Sequence, residues 1–389
     1  MAANVPDLPP LRIRHRSVLP IVQGGMGVGI SAHRLAGAVA LSGAVGTISS
    51  VDLRRHHADL MGLSRNGNKA TVDAANLVAL DREIRAAKAL ADGRGLVAVN
   101  VMRAVSEYAA NVRQACASGA DAIVVGAGLP LDLPELAAPW PDVALIPILS
   151  DARGIALVVK KWARKGRLPD AIVIEHPRYA GGHLGAAKIE DLNDPRFDFE
   201  RVLPDTLAFF KAEGIADGAI PLIPAGGINS HERVRELFAL GASAVQLGTA
   251  FAVTEEGDAD IAFKHVLADA KPEDIVEFMS VAGLPARAVR TPWLESYLHH
   301  LPKLTAVAHK KLRCTLKFDC LIQCGLRDGI AKIGQFCIDT QLAAALRGDV
   351  GKGLFFRGAS ALPFGSEIRP VRELVGYLLT GVRPEPIAV

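Results

Sequence analysis

Pro221-Leu222-Ile223-Pro224-Ala225-Gly226-Gly227-Ile228, followed by Ser243-Ala244-Val245-Gln246-Leu247-Gly248-Thr249, is the stretch that decides the fold. Each half is a short apolar run ending in a glycine turn, and His231–Leu240 between them carries apolar residues at helical spacing. An apolar run without polar alternation reads as a strand buried on both faces, and two such runs joined through a helix are parallel. The same unit recurs upstream at Val18–Val22, Gly43–Ile48, Leu96–Val101, Ala122–Val125, Ala144–Leu149 and Ala171–Ile174, which makes eight runs with Pro221–Pro224 and Ala244–Leu247. Helical spacing fills Ala32–Leu41, Ala74–Ala91, Ala152–Trp162 and Asp205–Lys211 between them. Eight such units predict an α/β fold closed into a (β/α)8 TIM barrel. An open dinucleotide-binding sheet is the competitor, but no G-x-G-x-x-G follows the first run in the required strand–turn–helix setting.

The barrel does not use up the chain. Of 389 residues, half are hydrophobic and 22% are charged, enough for a large core. The 44 basic residues exceed the 41 acidic ones by only three, which leaves no basic footprint for nucleic acid. No apolar run reaches the ~18 residues of a membrane span. Met1 to Pro20 carries Pro and Arg without an apolar h-region, so no secretory signal is read and a cytoplasmic protein is expected. After Thr254 the strand–helix rhythm stops. Residues 255–353 read as helices and loops without convincing buried strands, and Gly283–Pro292 as irregular backbone. Glu367–Leu379 reads as one amphipathic helix, with Ser366 as its cap and Gly381 after its end. The expected division is a barrel over 1–254, a smaller, mostly helical second domain over 255–355, and a tail over 356–389 whose helix packs back on the barrel.

Function in a barrel collects at the C-terminal ends of its strands. Gln23-Gly24-Gly25-Met26 follows the first run, where consecutive glycines let a ligand approach backbone N–H groups and Ser31 is placed to cap the next helix; a plain tight turn is the alternative. Ala225-Gly226-Gly227 and Gly248-Thr249 follow the seventh and eighth, the usual place for a phosphate group. Tyr179-Ala180-Gly181-Gly182-His183 follows the sixth, and a His on such a turn suits proton abstraction near neutral pH. Asn100 ends the third run as a polar group able to recognise a ring or a hydroxyl chain. Glu175 and His176 are candidates either for chemistry or for supporting the loop.

Four of the five cysteines, Cys314, Cys320, Cys324 and Cys337, fall within 24 positions, while Cys116 stands alone. That clustering invites a four-thiolate metal or iron–sulfur site. Only Cys320/Cys324 fits the C-x2-4-C spacing of structural zinc. Four buried apolar thiols are the alternative.

Taken as an ordered set, Pro20-Ile21-Val22-Gln23-Gly24-Gly25-Met26, Gly126-Ala127-Gly128, Ala180-Gly181-Gly182-His183, Ala225-Gly226-Gly227-Ile228 and Val245-Gln246-Leu247-Gly248-Thr249 resemble the nitronate monooxygenase (2-nitropropane dioxygenase) family, which includes the enoyl-ACP reductase II flavoproteins. The resemblance implies a TIM barrel holding FMN, with its phosphate on Ala225, Gly226, Gly227, Gly248 and Thr249. It places Gln23, Gly24, Gly25, Met26 and Asn100 at the flavin ring and Gly181, Gly182 and Gln246 in the same site, and it makes His183 the catalytic residue. Departures accompany it. Leu129 stands where the enoyl-reductase branch usually has Asn, the fifth turn Leu149-Ser150-Asp151 lacks a Lys, and Arg178-Tyr179 replace acidic residues. The stretch from Gly283 to Gly381, with Gly334-Gln335-Phe336-Cys337-Ile338 and Gly353-Leu354-Phe355-Phe356-Arg357-Gly358-Ala359, is similar to the acyl-ACP dehydrogenase/isomerase branch, which implies a 4Fe-4S cluster on the four cysteines.

The expected activity is that of an FMN-dependent oxidoreductase. His183 removes an α-proton and the flavin accepts hydride or electrons, with an acyl thioester of fatty acid metabolism as substrate. The alternatives are a nitronate monooxygenase using O2, an NAD(P)H-dependent enoyl or quinone reductase, and a non-catalytic flavin or cluster sensor. Arg287, Arg290 and Lys303 are candidates to meet an acidic acyl carrier protein, and a homodimer stays open.

Overall fold

A computed structural model of the chain describes residues 8–65, 67–310, 314 and 319–386. Eight parallel strands form a closed barrel: β1 (Ile21–Gln23), β2 (Val45–Ser49), β3 (Leu96–Met102), β4 (Ala122–Gly126), β5 (Ala144–Leu149), β6 (Ile172–Glu175), β7 (Leu222–Ala225) and β8 (Val245–Leu247). They neighbour one another in chain order, and β8 pairs with β1 to complete the ring. Every barrel strand overlaps a run read from the sequence, although Val18 of the first run belongs to an antiparallel N-terminal hairpin and the barrel strand begins at Ile21. The fold is the expected (β/α)8 barrel.

The pleat divides the core in two. Val22, Val45, Ala98, Val124, Ile146, Val173 and Ile223 point inward and fill the barrel, whose bottom is plugged by Leu11, Ile13 and Val18 of an N-terminal hairpin. Ile48, Val97, Val99, Ile123, Leu145 and Ile172 point outward and pack with the helices. Alternation carried to the top of each strand makes Asn100, Gly126, Ile148, Glu175, Ala225 and Gln246 the upper inward positions. That ring is the floor of the functional site.

Two expectations for the last third need correction. Strands Ile275–Met279 and Pro285–Val289 form a hairpin, and Pro285–Val289 is buried throughout. Its Pro-Ala-Arg-Ala composition has little intrinsic strand preference; pairing with Gly182–His183 supplies what propensity lacks. Because that pairing crosses residue 254, we keep the boundary there only as a proposal. The C-terminal helix runs Val371–Thr380 rather than from Glu367. Pro370 disfavours helical backbone at Arg369, so the helix begins after the proline, and Gly381 ends it at φ +73° as expected. This helix packs against His231–Ala239 and His33–Leu41 on the barrel's outer face. No helix of the described residues is long and apolar enough to cross a membrane.

Candidate active site

Above the barrel floor lies a cavity of about 300 Å³. Every expected ligand-binding residue except Gln23 lines it: Gly24, Gly25, Met26, Asn100, Gly181, Gly182, Ala225, Gly226, Gly227, Gln246, Gly248 and Thr249, together with His183. Gln23 is fully buried beneath them. Its Oε1 accepts the Thr47 N–H at 2.8 Å and its Nε2 donates to the Thr47 carbonyl at 3.0 Å, so it ties β1 to β2 below the cavity.

The first turn is shaped by close packing. A Cβ on Gly25 would sit 2.3 Å from the Asn100 Cβ, and one on Gly24 would meet the Gln246 amide at 3.2 Å. Ser31 does not cap the following helix. Its Oγ instead accepts the Met26 N–H at 2.8 Å and folds the turn back on itself. The cap comes from Asp258, whose carboxylate accepts the N–H groups of Ala32 and Leu35 at 2.8 and 3.1 Å. No local motif announces that partner, which lies 226 residues away from Ala32.

At the seventh and eighth turns, Gly226 and Gly227 hold φ +101° and +75°, backbone that L side chains rarely adopt. The N–H groups of Gly226, Gly227, Gly248 and Thr249 have no hydrogen-bond partner among the described residues, although all four residues line the cavity. The far wall belongs to the tail. Gly358 donates its N–H to Thr249 Oγ1 at 3.0 Å, and the Ala359 N–H reaches the Tyr179 carbonyl at 3.1 Å. Arg357, almost fully buried, donates to the carbonyls of Leu267, Gly358 and Ser360 and shapes that strap.

His183 enters from the sixth turn, in the short strand Gly182–His183. Its Nε2 lies 3.0 Å from Ser280 Oγ. Burial pushes the imidazole down to about 4, so it is neutral at neutral pH. Glu175, the upper inward residue of β6, also lines the cavity, and burial pushes its carboxyl up to about 7. His176 does not reach the cavity. It is buried, its Nδ1 accepts the Arg178 N–H, and its Nε2 pairs with Asp198 at 3.2 Å, so it supports the loop. Arg287 is buried too: it donates to the carbonyls of Pro177 and Ala180 and pairs with Glu277, so it is no surface for a partner, whereas Arg290 and Lys303 are exposed.

The cysteines form no disulfide. Cys320 lines the cavity beside Leu321, and burial, reinforced by Asp339 and the other three thiols nearby, holds its thiol well above the usual range. Cys324 Sγ accepts the Arg327 N–H, and Cys337 Sγ accepts the Thr340 hydroxyl. Among the described residues no group of three or more His, Cys, Asp or Glu side chains is arranged to hold a metal ion. The expected four-thiolate site therefore gains no support from the geometry, and residues 315–318 between Cys314 and Cys320 lie outside the described residues.

The sequence model of the family described as Nitronate monooxygenase matches residues 11–381. The chain belongs to the nitronate monooxygenase family. It is 33% identical over 122 residues to a nitronate monooxygenase of Pseudomonas aeruginosa, covering 31% of each chain. To a probable nitronate monooxygenase of Staphylococcus saprophyticus it is 29% identical over 124 residues, 32% of this chain and 33% of that one. The chain thus spans about a third of the length of these curated relatives. Among solved structures it superposes on FabK from Thermotoga maritima with a TM-score of 0.63 at 21% identity, covering 92% of this chain and 91% of that one. A nitroalkane oxidase from Streptomyces ansochromogenes gives a TM-score of 0.63 at 20% identity over 92% and 94%. At these identities the superpositions speak for the shared barrel.

Proposed function

We propose that this member of the nitronate monooxygenase family is an FMN-dependent oxidoreductase in which His183 is the base. The observation that carries the reading is one cavity holding both a neutral imidazole and four unpartnered N–H groups on the seventh and eighth turns. Those donors fit a phosphate, and the side-chain-free approach at Gly24 and Gly25 fits a flat ring against Asn100 and Gln246. Bound there, FMN supplies an acceptor for hydride or electrons. His183, oriented by Ser280, accepts a proton from the substrate carbon beside its electron-withdrawing group. Apolar Leu342, Ala345, Leu354 and Leu362 from the last third of the chain, with Phe263 and Leu267, exclude water from the remaining wall.

That apolar wall supports an acyl thioester, free or carried on a protein, as substrate. Purified protein reconstituted with FMN and titrated anaerobically with a medium-chain acyl thioester should lose its oxidised flavin absorption; persistence of that absorption refutes the thioester. The family and the Pseudomonas relative support a second reading, oxidation of an alkyl nitronate by O2. Steady O2 uptake with propionate 3-nitronate and no bleaching by thioesters would establish it. A 4Fe-4S cluster on Cys314, Cys320, Cys324 and Cys337 is proposed from their spacing in the sequence and from the resemblance to the acyl-ACP dehydrogenase/isomerase branch, not from the geometry. Iron and sulfide analysis of anaerobically purified protein decides it: flavin without iron removes the cluster.

A further inference from the structure

We propose that Glu175 is a second proton-carrying group of this site, acting opposite His183. The inference rests on the acid–base reading above, and with it on a substrate that still carries its α-proton, as an acyl thioester does.

Glu175 ends β6, and the pleat that puts Val173 inside the barrel turns Glu175 into the cavity above it. Its register partner on β7 is Ala225, on the phosphate side of the cavity. Its Oε2 lies beside Gly185, two residues past His183, where an added Cβ would come within 3.2 Å of it. Among the described residues no cation pairs with this carboxyl and no hydrogen bond is made to it. The surroundings explain why. Beside it, just past the end of β5, stands Ser150, whose hydroxyl is spent on the Gly185 carbonyl at 3.2 Å. From β7 it meets Ala225. From the sixth loop come His183 and Gly185, while Arg178 turns away to Asn193 and Asp198. Asp151, just past β5, caps Gly154 and faces Arg196. The other titratable groups of the cavity are Tyr179, Cys320 and Asp339, and Asp339 is tied to Arg55. A carboxyl left without a counter-charge keeps its proton until the medium is near neutral.

Two groups whose surroundings move them in opposite directions divide the acid and base roles. His183, neutral, takes a proton from the substrate carbon. The electron pair of that C–H bond shifts toward the electron-withdrawing group, and the Glu175 carboxyl gives its proton to the atom where the negative charge gathers. One bond to hydrogen breaks, one forms, and the step needs no oxidant. Exchange with solvent then returns the proton from His183 to Glu175.

The test uses FMN-loaded protein and the variants Glu175→Gln and Glu175→Asp. In infrared difference spectra taken across pH, wild type should show a protonated-carboxyl band that titrates near neutral pH and that Glu175→Gln removes. Flavin reduction by a medium-chain acyl thioester should fall at least tenfold in Glu175→Gln and lose its decline toward high pH, and Glu175→Asp should restore part of both. A band unaffected by Glu175→Gln overturns the proposal. So does a reduction rate and pH profile equal to wild type. If thioesters fail to reduce the wild-type flavin, the thioester reading falls, and the infrared arm alone decides whether Glu175 carries the proton.

Discussion

His183 Nε2 and Ser280 Oγ lie 3.0 Å apart although 97 residues separate them in the chain. One sits on the sixth barrel turn, the other on the turn of the Ile275–Val289 hairpin, and the pairing of Ala286 with His183 brings them together. The imidazole is therefore aimed by a hairpin that lies outside the eight barrel strands.

Removing the aim should cost less than removing the base. His183→Ala should retain FMN and slow substrate-dependent flavin reduction by about 10²–10⁴-fold, the range of general base catalysis. Ser280→Ala should leave the flavin bound and slow reduction by roughly tenfold, since the ring keeps its place in the strand but loses its orienting partner. Stopped-flow reduction of the two variants separates these outcomes; equal losses would contradict the positioning role.

The pH dependence follows from the two desolvated groups that line the cavity. His183 must be unprotonated, so activity is lost as pH falls through about 4. Glu175 must be protonated, so activity is lost as pH rises through about 7. A bell with those two limbs should appear in flavin reduction, and Glu175→Gln should leave only the acid limb.

The same carboxyl makes a stability prediction of fixed sign. Its folded-state proton is held more tightly than the unfolded chain would hold it, so its contribution is present at low pH and is lost as pH rises toward and through about 7. Glu175→Gln should therefore gain stability relative to wild type between pH 5 and pH 8, by no more than about 3 kcal/mol. Thermal unfolding at the two pH values reads this directly, and a gain that shrinks with pH would contradict the buried, unpaired carboxyl.

Gly25→Ala tests the ring end of the cavity. The new Cβ would fall 2.3 Å from the Asn100 Cβ, so either the turn or β3 must move. Flavin affinity should fall by tenfold or more with little change in circular dichroism. Undiminished binding would show that the ring does not lie over this turn.

Arg287→Met should be costly although its side chain does not line the cavity. It leaves the buried carbonyls of Pro177 and Ala180 without their donor, a loss of about 2–5 kcal/mol, while the exposed Glu277 carboxylate turns to water. The midpoint of urea unfolding should drop, and flavin release should accompany the loosening of the Tyr179–Gly182 turn.

The eight strands were legible because strands buried on both faces are mostly apolar runs, and the glycine turns because close packing or positive φ there excludes a side chain. Asn100 was legible as a polar residue near the end of an apolar run, whereas Gln246, in the middle of its run, came only from the family resemblance. Glu175 carried that signal too, but its neighbour His176 carried it equally, and only the pleat tells the inward residue from the loop support. Ser280, Asp258 and Gly358 gave no local signal: each acts on a residue more than 90 positions away. The strand Pro285–Val289 escaped notice because Ala and Pro resist strand assignment until a partner edge exists.

The bond from Gly358 to Thr249 has a consequence for the order in which the protein is made. A ribosome completes all eight strands and the glycine turns after the seventh and eighth well before it reaches residue 358. During that interval the barrel can close, but the mouth has no roof, and a captured flavin would still be open to water. Durable retention of the flavin should therefore mark the end of synthesis, and stalled chains ending before the strap should lose on dilution what the finished chain keeps.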